Sequence, residues 1–237
     1  APNIKKLSDS LGVPLAGAVA TSGRLFGPVG NPSLDGTATS DALTLDGQPI
    51  ENIRLQATAA QLARGAKGEA AFSLVPAPGA GTVEGRLTFA LEERTRLALR
   101  EIEVRRGTAD EVKGEMTVPL DGGALSGGFE VAAGDLSAWS SLAGVPLAGN
   151  LSGRVRLRAD AAGGQAVTVE GQGRDLALAG EAPARLEQLS FSAEAEDALG
   201  APRGRARAAL AAATLPGGTG ERAELRAAVQ PETLRLD

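Results

Sequence analysis

The chain has 237 residues, 29 acidic against 24 basic side chains, a formal charge of −5 and enough hydrophobic residues (43%) to build a core. It contains neither cysteine nor histidine, which removes disulfides, thiolate and imidazole metal sites, cysteine nucleophiles and Ser-His triads. Five Phe, one Trp and no Tyr leave an aliphatic core, no platform for sugars and, with no basic stripe, no interface for nucleic acid.

The first element is a short amphipathic helix at Asn3–Leu11. Asn3 is an N-cap, Ile4, Leu7 and Leu11 share a face, and Gly12 and Pro14 stop it. From there the period changes to two. Leu43 and Leu45, Ile53 and Leu55, Phe72 and Leu74, and Leu87, Phe89 and Leu91 each alternate with polar or small residues, as one-faced strands do. Leu97 and Leu99 are followed by Ile102 and Val104, a slip of phase that predicts a bulge or bend at Arg100-Glu101. Turns are expected at Gly27 to Pro32, Pro76 to Gly81 and Asp121-Gly122-Gly123.

A second helix is expected at Asp135–Ala143, with Asp135 as cap and Leu136, Trp139, Leu142 and Ala143 inward. It ends in Gly144-Val145-Pro146-Leu147-Ala148-Gly149, which repeats Gly12-Val13-Pro14-Leu15-Ala16-Gly17 without a gap upstream. The unit therefore recurs after roughly 130 residues, dividing the chain into a first unit at 1–134 and a second, truncated one at 135–237. Alternation resumes in Val155, Leu157 and Ala159, in Val167 and Val169, in Leu176 and Leu178, and in Leu189 and Phe191, with turns at Ala161 to Gly164 and Pro216 to Gly220. The Ala-rich run at Ala206 to Ala213 favours helix by propensity, but Arg203, Arg205 and Arg207 alternate with small residues and argue for a strand. About fifteen strands result, too closely spaced for βαβ units.

Chemical motifs are weak. Gly171-Gln172-Gly173 and Gly217-Gly218-Thr219-Gly220 lack the strand and helix of a dinucleotide site, and Glu92-Glu93 and Glu194 with Glu196 read as solvated carboxylates. The acidic spacing matches no calcium loop. The expectation is a protein without catalytic residues, metal or cofactor. No apolar run approaches the roughly 20 residues of a membrane helix, and no signal peptide opens the chain, so it is expected to be an internal piece of something longer.

The ordered phrases DLSAWSSLAGVPLAG, LSGRVRLRAD, GQGRDLALAG and LEQLSFSAEA, with their earlier counterparts NIKKLSDSLGVPLAG, GTATSDALTLDG and IENIRLQATA, resemble the repeat region of the TamB family of the translocation and assembly module, and more distantly AsmA-like proteins. The resemblance covers most of the chain, though the motifs are loose, and neither the family's N-terminal anchor nor its C-terminal domain is recognised. It implies an all-β fold, a long curled sheet or β-taco trough with short amphipathic helices. It also implies a periplasmic location with the whole protein anchored in the inner membrane of a Gram-negative bacterium, phospholipid acyl chains as cargo, and an outer-membrane assembly partner met through regions outside this chain.

A 16-carbon tail in water costs on the order of 12 kcal/mol at about 0.8 kcal/mol per methylene, and an aliphatic groove offsets most of that. The residues expected to line it are Leu43, Leu45, Ile53, Leu55, Phe72, Leu74, Leu87, Phe89, Leu97, Leu99, Val155, Leu157, Val167, Val169, Leu176, Leu178, Leu189 and Phe191. An ordinary closed core uses the same alternation. A structural or adhesive β-solenoid without lipid cargo is the other reading, although such proteins repeat every 20 to 30 residues and stack Asn or aromatic ladders.

Overall fold

The computed structural model describes residues 15–45, 48–63, 65–77, 80–140, 145–179, 183–215, 218–230 and 233–236. The chain divides into two compact units, Ala1–Thr108 and Ala109–Asp237. The repeat boundary at 134/135 thus falls inside the second unit.

In the first unit, β1 (Leu15–Gly17) and β2 (Ala20–Phe26) lie end to end along β3 (Ser33–Leu45), and the sheet continues through β4 (Gln48–Ala60), β5 (Lys67–Val75), β6 (Val83–Glu92) and β7 (Arg96–Arg106). Every pairing is antiparallel, and from β2 onward each is between sequential strands, as tight turns dictate; β1 alone skips a strand to pair with β3. The break between β1 and β2 is held by Ser40, whose buried hydroxyl reaches the carbonyls of Ala18, at 2.7 Å, and Ala42, at 3.0 Å.

The second unit runs β8 (Asp110–Pro119), β9 (Ser126–Ala133), β10 (Leu147–Ala159), β11 (Gln165–Leu178), β12 (Ala184–Glu196), β13 (Arg203–Leu215), β14 (Gly218–Gln230) and β15 (Thr233–Leu236), again an antiparallel meander in chain order. The Ala-rich run is strand β13, in which Ala208 sits opposite Phe191 of β12 and Leu210 opposite Leu189. Gly218 and Gly220, expected in a turn, already belong to β14.

The all-β class, and the fifteen strands among the described residues, agree with the alternation read in the sequence. The expected helices fall only in part among the described residues. Asn3–Leu11 lies outside the described residues. At Asp135–Ala143 the described part is a single 3-10 turn, Leu136–Trp139, with Ser140 helical after it and residues 141–144 undescribed. Asp135 caps it as expected, accepting from Ser137 N at 2.9 Å. The turn is docked from outside the helix pattern: Trp139 Nε1 donates to the Asp110 carboxylate at 2.9 Å, and the same carboxylate accepts from Gly134 N at 2.9 Å. Asp110, buried at the start of β8, thus anchors Trp139 of the expected inward face.

The repeat is visible in the pairing. Leu15 faces Leu45 in the first copy and Leu147 faces Leu178 in the second, and Gly17 and Gly149 both take positive φ, +128° and +103°. At Gly149 a Cβ would lie 2.5 Å from the carbonyl oxygen of Asp175, so only glycine permits the approach.

The expected bulge at Arg100-Glu101 is present: Arg86 pairs with Glu103 and Thr88 with Arg100, leaving Leu87 opposite two residues, and Glu101 sits at φ +50°. The same device recurs at Asn52 (φ +54°) in β4, against β5, and at Asp175 (φ +51°) in β11, against β10. Each re-phases its strand, so that apolar residues three apart return to one face. Leu176, for example, lies over Gly173, 2.7 Å from where a Cβ would stand.

Candidate functional site

Residues paired across an antiparallel ladder share a face, so the registers sort every strand into an apolar and a polar side. In the first unit one apolar row reads Ala38–Leu55–Phe72–Gly85–Val104, flanked by Ala57–Ala70–Leu87 and Gly68–Phe89–Leu99. In the second, Val112–Val131–Gly153–Gly171–Phe191–Ala208–Leu225 and Gly114–Phe129–Val155–Val169–Ala193–Ala206–Ala227 each cross all the strands from β8 to β14 without a charged residue.

The registers thus bring Leu55, Phe72, Leu87, Phe89 and Leu99 onto the apolar face of the first unit, with Leu97 beside Leu91 and Leu74 beside Val83. Val155, Leu157, Val167, Val169, Leu189 and Phe191 share the apolar face of the second, and Leu176 joins them past the bulge, opposite Leu186. Ile53 and Leu43 flank the irregularity at Asn52 and are half-buried. Leu178 is 40% exposed and Leu55 42%; the Leu45 side chain lies outside what is described. Val112, Met116, Phe129, Val131, Leu151 and Leu210 occupy the same face of the second unit and were missed, although β8, β9 and β10 carry the same period of two.

Glycine and phenylalanine are matched across this face. A Cβ at Gly85 would stand 2.3 Å from Phe72 Cζ, one at Gly171 2.4 Å from Phe191 Cζ, and one at Gly114 2.6 Å from Phe129 Cδ1. The ring of one strand lies down over the missing side chain of the next, which levels the surface.

Among the described residues the fully buried hydrophobic side chains are all alanines, Ala98 and Ala166 at 1% exposure the most enclosed. Leu, Val, Ile and Phe on the apolar faces are half-buried or exposed, and the strands pack against their ladder neighbours. A second layer sealing these faces would bury them; among the described residues the large apolar side chains of neither face are sealed.

The opposite face carries charge in alternation, as in Lys113–Glu130–Arg154–Glu170–Ser192–Arg207. The hydrogen bond that Arg154 donates to Glu130, with the charge of Glu130 and that of Glu170, holds the guanidinium above its ordinary pKa, against a smaller effect of desolvation. Arg86 and Arg105 both engage Glu103. Three open depressions lie mainly on this polar side: about 510 Å³ around Arg54 and Glu84, about 570 Å³ around Glu130 and Arg154, and about 160 Å³ around Glu194 and Arg205.

No family model, curated protein or solved structure matches this chain.

The turns at one end of the second unit are stitched by buried or turn-bound polar groups. Gln165 Nε2 donates to the carbonyls of Leu125, Arg158 and Ala166, and its Oε1 accepts from Leu125 N at 2.8 Å. Asp160 accepts from Ala162 N and Gly164 N at 2.8 Å and from Asp197 N at 3.1 Å. Desolvation pushes that carboxyl up, but the backbone hydrogen bonds of Ala162, Gly164, Asp197 and Gly163 together outweigh it and hold it below the ordinary value. Among the described residues, no three acidic side chains converge to hold a metal ion and no helix is long and apolar enough to cross a membrane. The arrangement offers two physically different surfaces: one uncharged, aliphatic and level, the other polar and furrowed.

Proposed function

We propose that the chain is a non-catalytic segment of a TamB-like envelope protein, and that its apolar face shields phospholipid acyl chains on their way between inner and outer membranes. The observation that carries this reading is the unsealed apolar face. From β8 to β14 it spans about 30 Å at the usual strand spacing, about twice the depth of one bilayer leaflet. It carries no hydrogen-bonding side chain in its central rows that would arrest a sliding tail. Outer-membrane protein assembly and the periplasmic location enter through the family resemblance alone. The ladder pairings are antiparallel, which does not favour the stacked parallel coils of a β-helical adhesin.

The test is native mass spectrometry of the purified chain. Phospholipid co-purifies with the wild type and is lost on Leu97→Asp or Val167→Asp, while the β-rich circular dichroism persists. A wild-type chain free of lipid, or one that unfolds globally on either substitution, refutes the shielding role and favours a closed core.

A further inference from the structure

The depression on the polar side of the first unit holds two exposed charges, Arg54 and Glu84, that pair with no described protein group. Arg54 of β4 pairs in register with Ser73 of β5, and Ser73 with Glu84 of β6, so the three stand in one row across the sheet. Among the described residues neither Arg54 nor Glu84 makes an ion pair or a side-chain hydrogen bond, whereas the neighbouring Arg86, Glu103 and Arg105 are tied to one another. Two strand spacings, about 9.5 Å, separate the backbones of β4 and β6. The residues between are short, Ala71 and Ser73, so the floor is low and the long side chains of Arg54, Gln56 and Glu84 stand as walls. Thr39 and Ser73 add hydroxyls beside Arg54.

We infer that this furrow is a binding site for a zwitterion, with its anionic group on Arg54 and the Thr39 and Ser73 hydroxyls and its ammonium on Glu84. A guanidinium beside hydroxyls suits a phosphate, which takes several donors at once, and the Glu84 carboxylate, whose cross-strand neighbour Arg105 is engaged by Glu103, is left to accept from a primary ammonium with three donors of its own. A phosphate joined to an ammonium by a short linker satisfies both without disturbing the Arg86–Glu103–Arg105 network. Such a group occurs as a free phosphoamine and as a lipid headgroup. The site lies on the face opposite the acyl-shielding rows, so it stands or falls separately from the function proposed above.

The experiment titrates the full chain with O-phosphoethanolamine, inorganic phosphate and ethanolamine by calorimetry. The expected result is binding of O-phosphoethanolamine at least about tenfold tighter than either fragment. Arg54→Ala erases the preference over ethanolamine, and Glu84→Gln erases the preference over phosphate, with circular dichroism unchanged in both. Co-sedimentation with phosphatidylethanolamine vesicles, against phosphatidylglycerol vesicles, separates the two sources: loss of the vesicle preference in both variants assigns the headgroup, and binding of the free compound alone assigns the small molecule. No binding by the wild type in either assay, equal affinity for phosphate and O-phosphoethanolamine, or binding that survives both substitutions overturns the inference.

Discussion

Replacing Gly85 by alanine tests whether the phenylalanine rings support the apolar face through their glycine partners. The added Cβ would stand 2.3, 2.4 and 3.1 Å from Phe72 Cζ, Cε1 and Cε2, and those ring atoms are its nearest neighbours, with no backbone atom among them. Only the ring has to move, and it must rise by about 1 Å to reach ordinary contact, an off-rotamer adjustment of the kind that costs about 1–3 kcal/mol. Half-burial of Phe72 contributes about 1 kcal/mol, part of which goes with the lost contact. We therefore expect Gly85→Ala to destabilise by about 1–2 kcal/mol. In a Phe72→Ala background the obstruction is gone, and alanine, losing less backbone entropy than glycine, is favoured by about 0.5 kcal/mol. The coupling energy is then about 2 kcal/mol, read from urea midpoints of the two single variants and the double variant with unchanged m. Equal cost of Gly85→Ala in both backgrounds refutes the reasoning. Gly171 supplies an internal contrast: its Cβ would also meet the Ser152 carbonyl oxygen at 2.8 Å, so Phe191→Ala rescues Gly171→Ala only in part.

Ala212→Gly removes a left-handed alanine from the middle of β13, and we expect a gain of about 0.5–1 kcal/mol in urea denaturation; Ala212→Val should lose more than that. Gln165→Ala strands both backbone groups of Leu125 and should cost about 2 kcal/mol in the same assay, with faster amide exchange at Leu125. Because the Asp160 carboxyl lies below its unfolded value in the folded chain, its contribution is fully present above the ordinary carboxyl pKa and is lost as pH falls through the lower, folded value. Asp160→Asn should flatten the acid limb of stability against pH, and an unchanged limb would show that the turn hydrogen bonds do not favour the charged form.

The strands were legible because their apolar residues alternate strictly over four to six positions, as Leu87, Phe89 and Leu91 do, and because glycine and proline mark most turns. The bulge at Glu101 was legible because two apolar pairs flank it. That at Asp175 carries the same three-residue spacing, Gly173 to Leu176, but glycine does not register as a member of a hydrophobic face. At Asp135 the cap and the apolar spacing were legible, whereas the anchor was not: Asp110, twenty-odd positions upstream, holds Trp139, and residues 141–143 of the expected helix lie outside the described residues. Nor does periodicity tell a sealed face from an open one, since Val155 and Val169 alternate alike under either condition.

The surface relief of that face bears on what covers it. A protein partner packed to native density needs knobs and holes, with large side chains beside small ones so that two surfaces interlock. In the row Val112–Val131–Gly153–Gly171–Phe191–Ala208–Leu225, the hole opened by Gly171 is filled from within the sheet, by the ring of Phe191 lying across it, and the same holds for Phe72 over Gly85 and Phe129 over Gly114. A sheet that closes its own holes offers little to an interlocking partner. It does suit a flexible hydrocarbon chain, whose gain depends on the area taken from water at about 25 cal/mol per Å² and not on a fixed register. Opening a hole by Phe191→Ala should therefore weaken the folded sheet more than it weakens tail binding per Å² of apolar face, whereas Val169→Asp, which exposes no cavity, should do the reverse; lipid occupancy that tracks stability across both variants would mean that the level surface has no bearing on cargo.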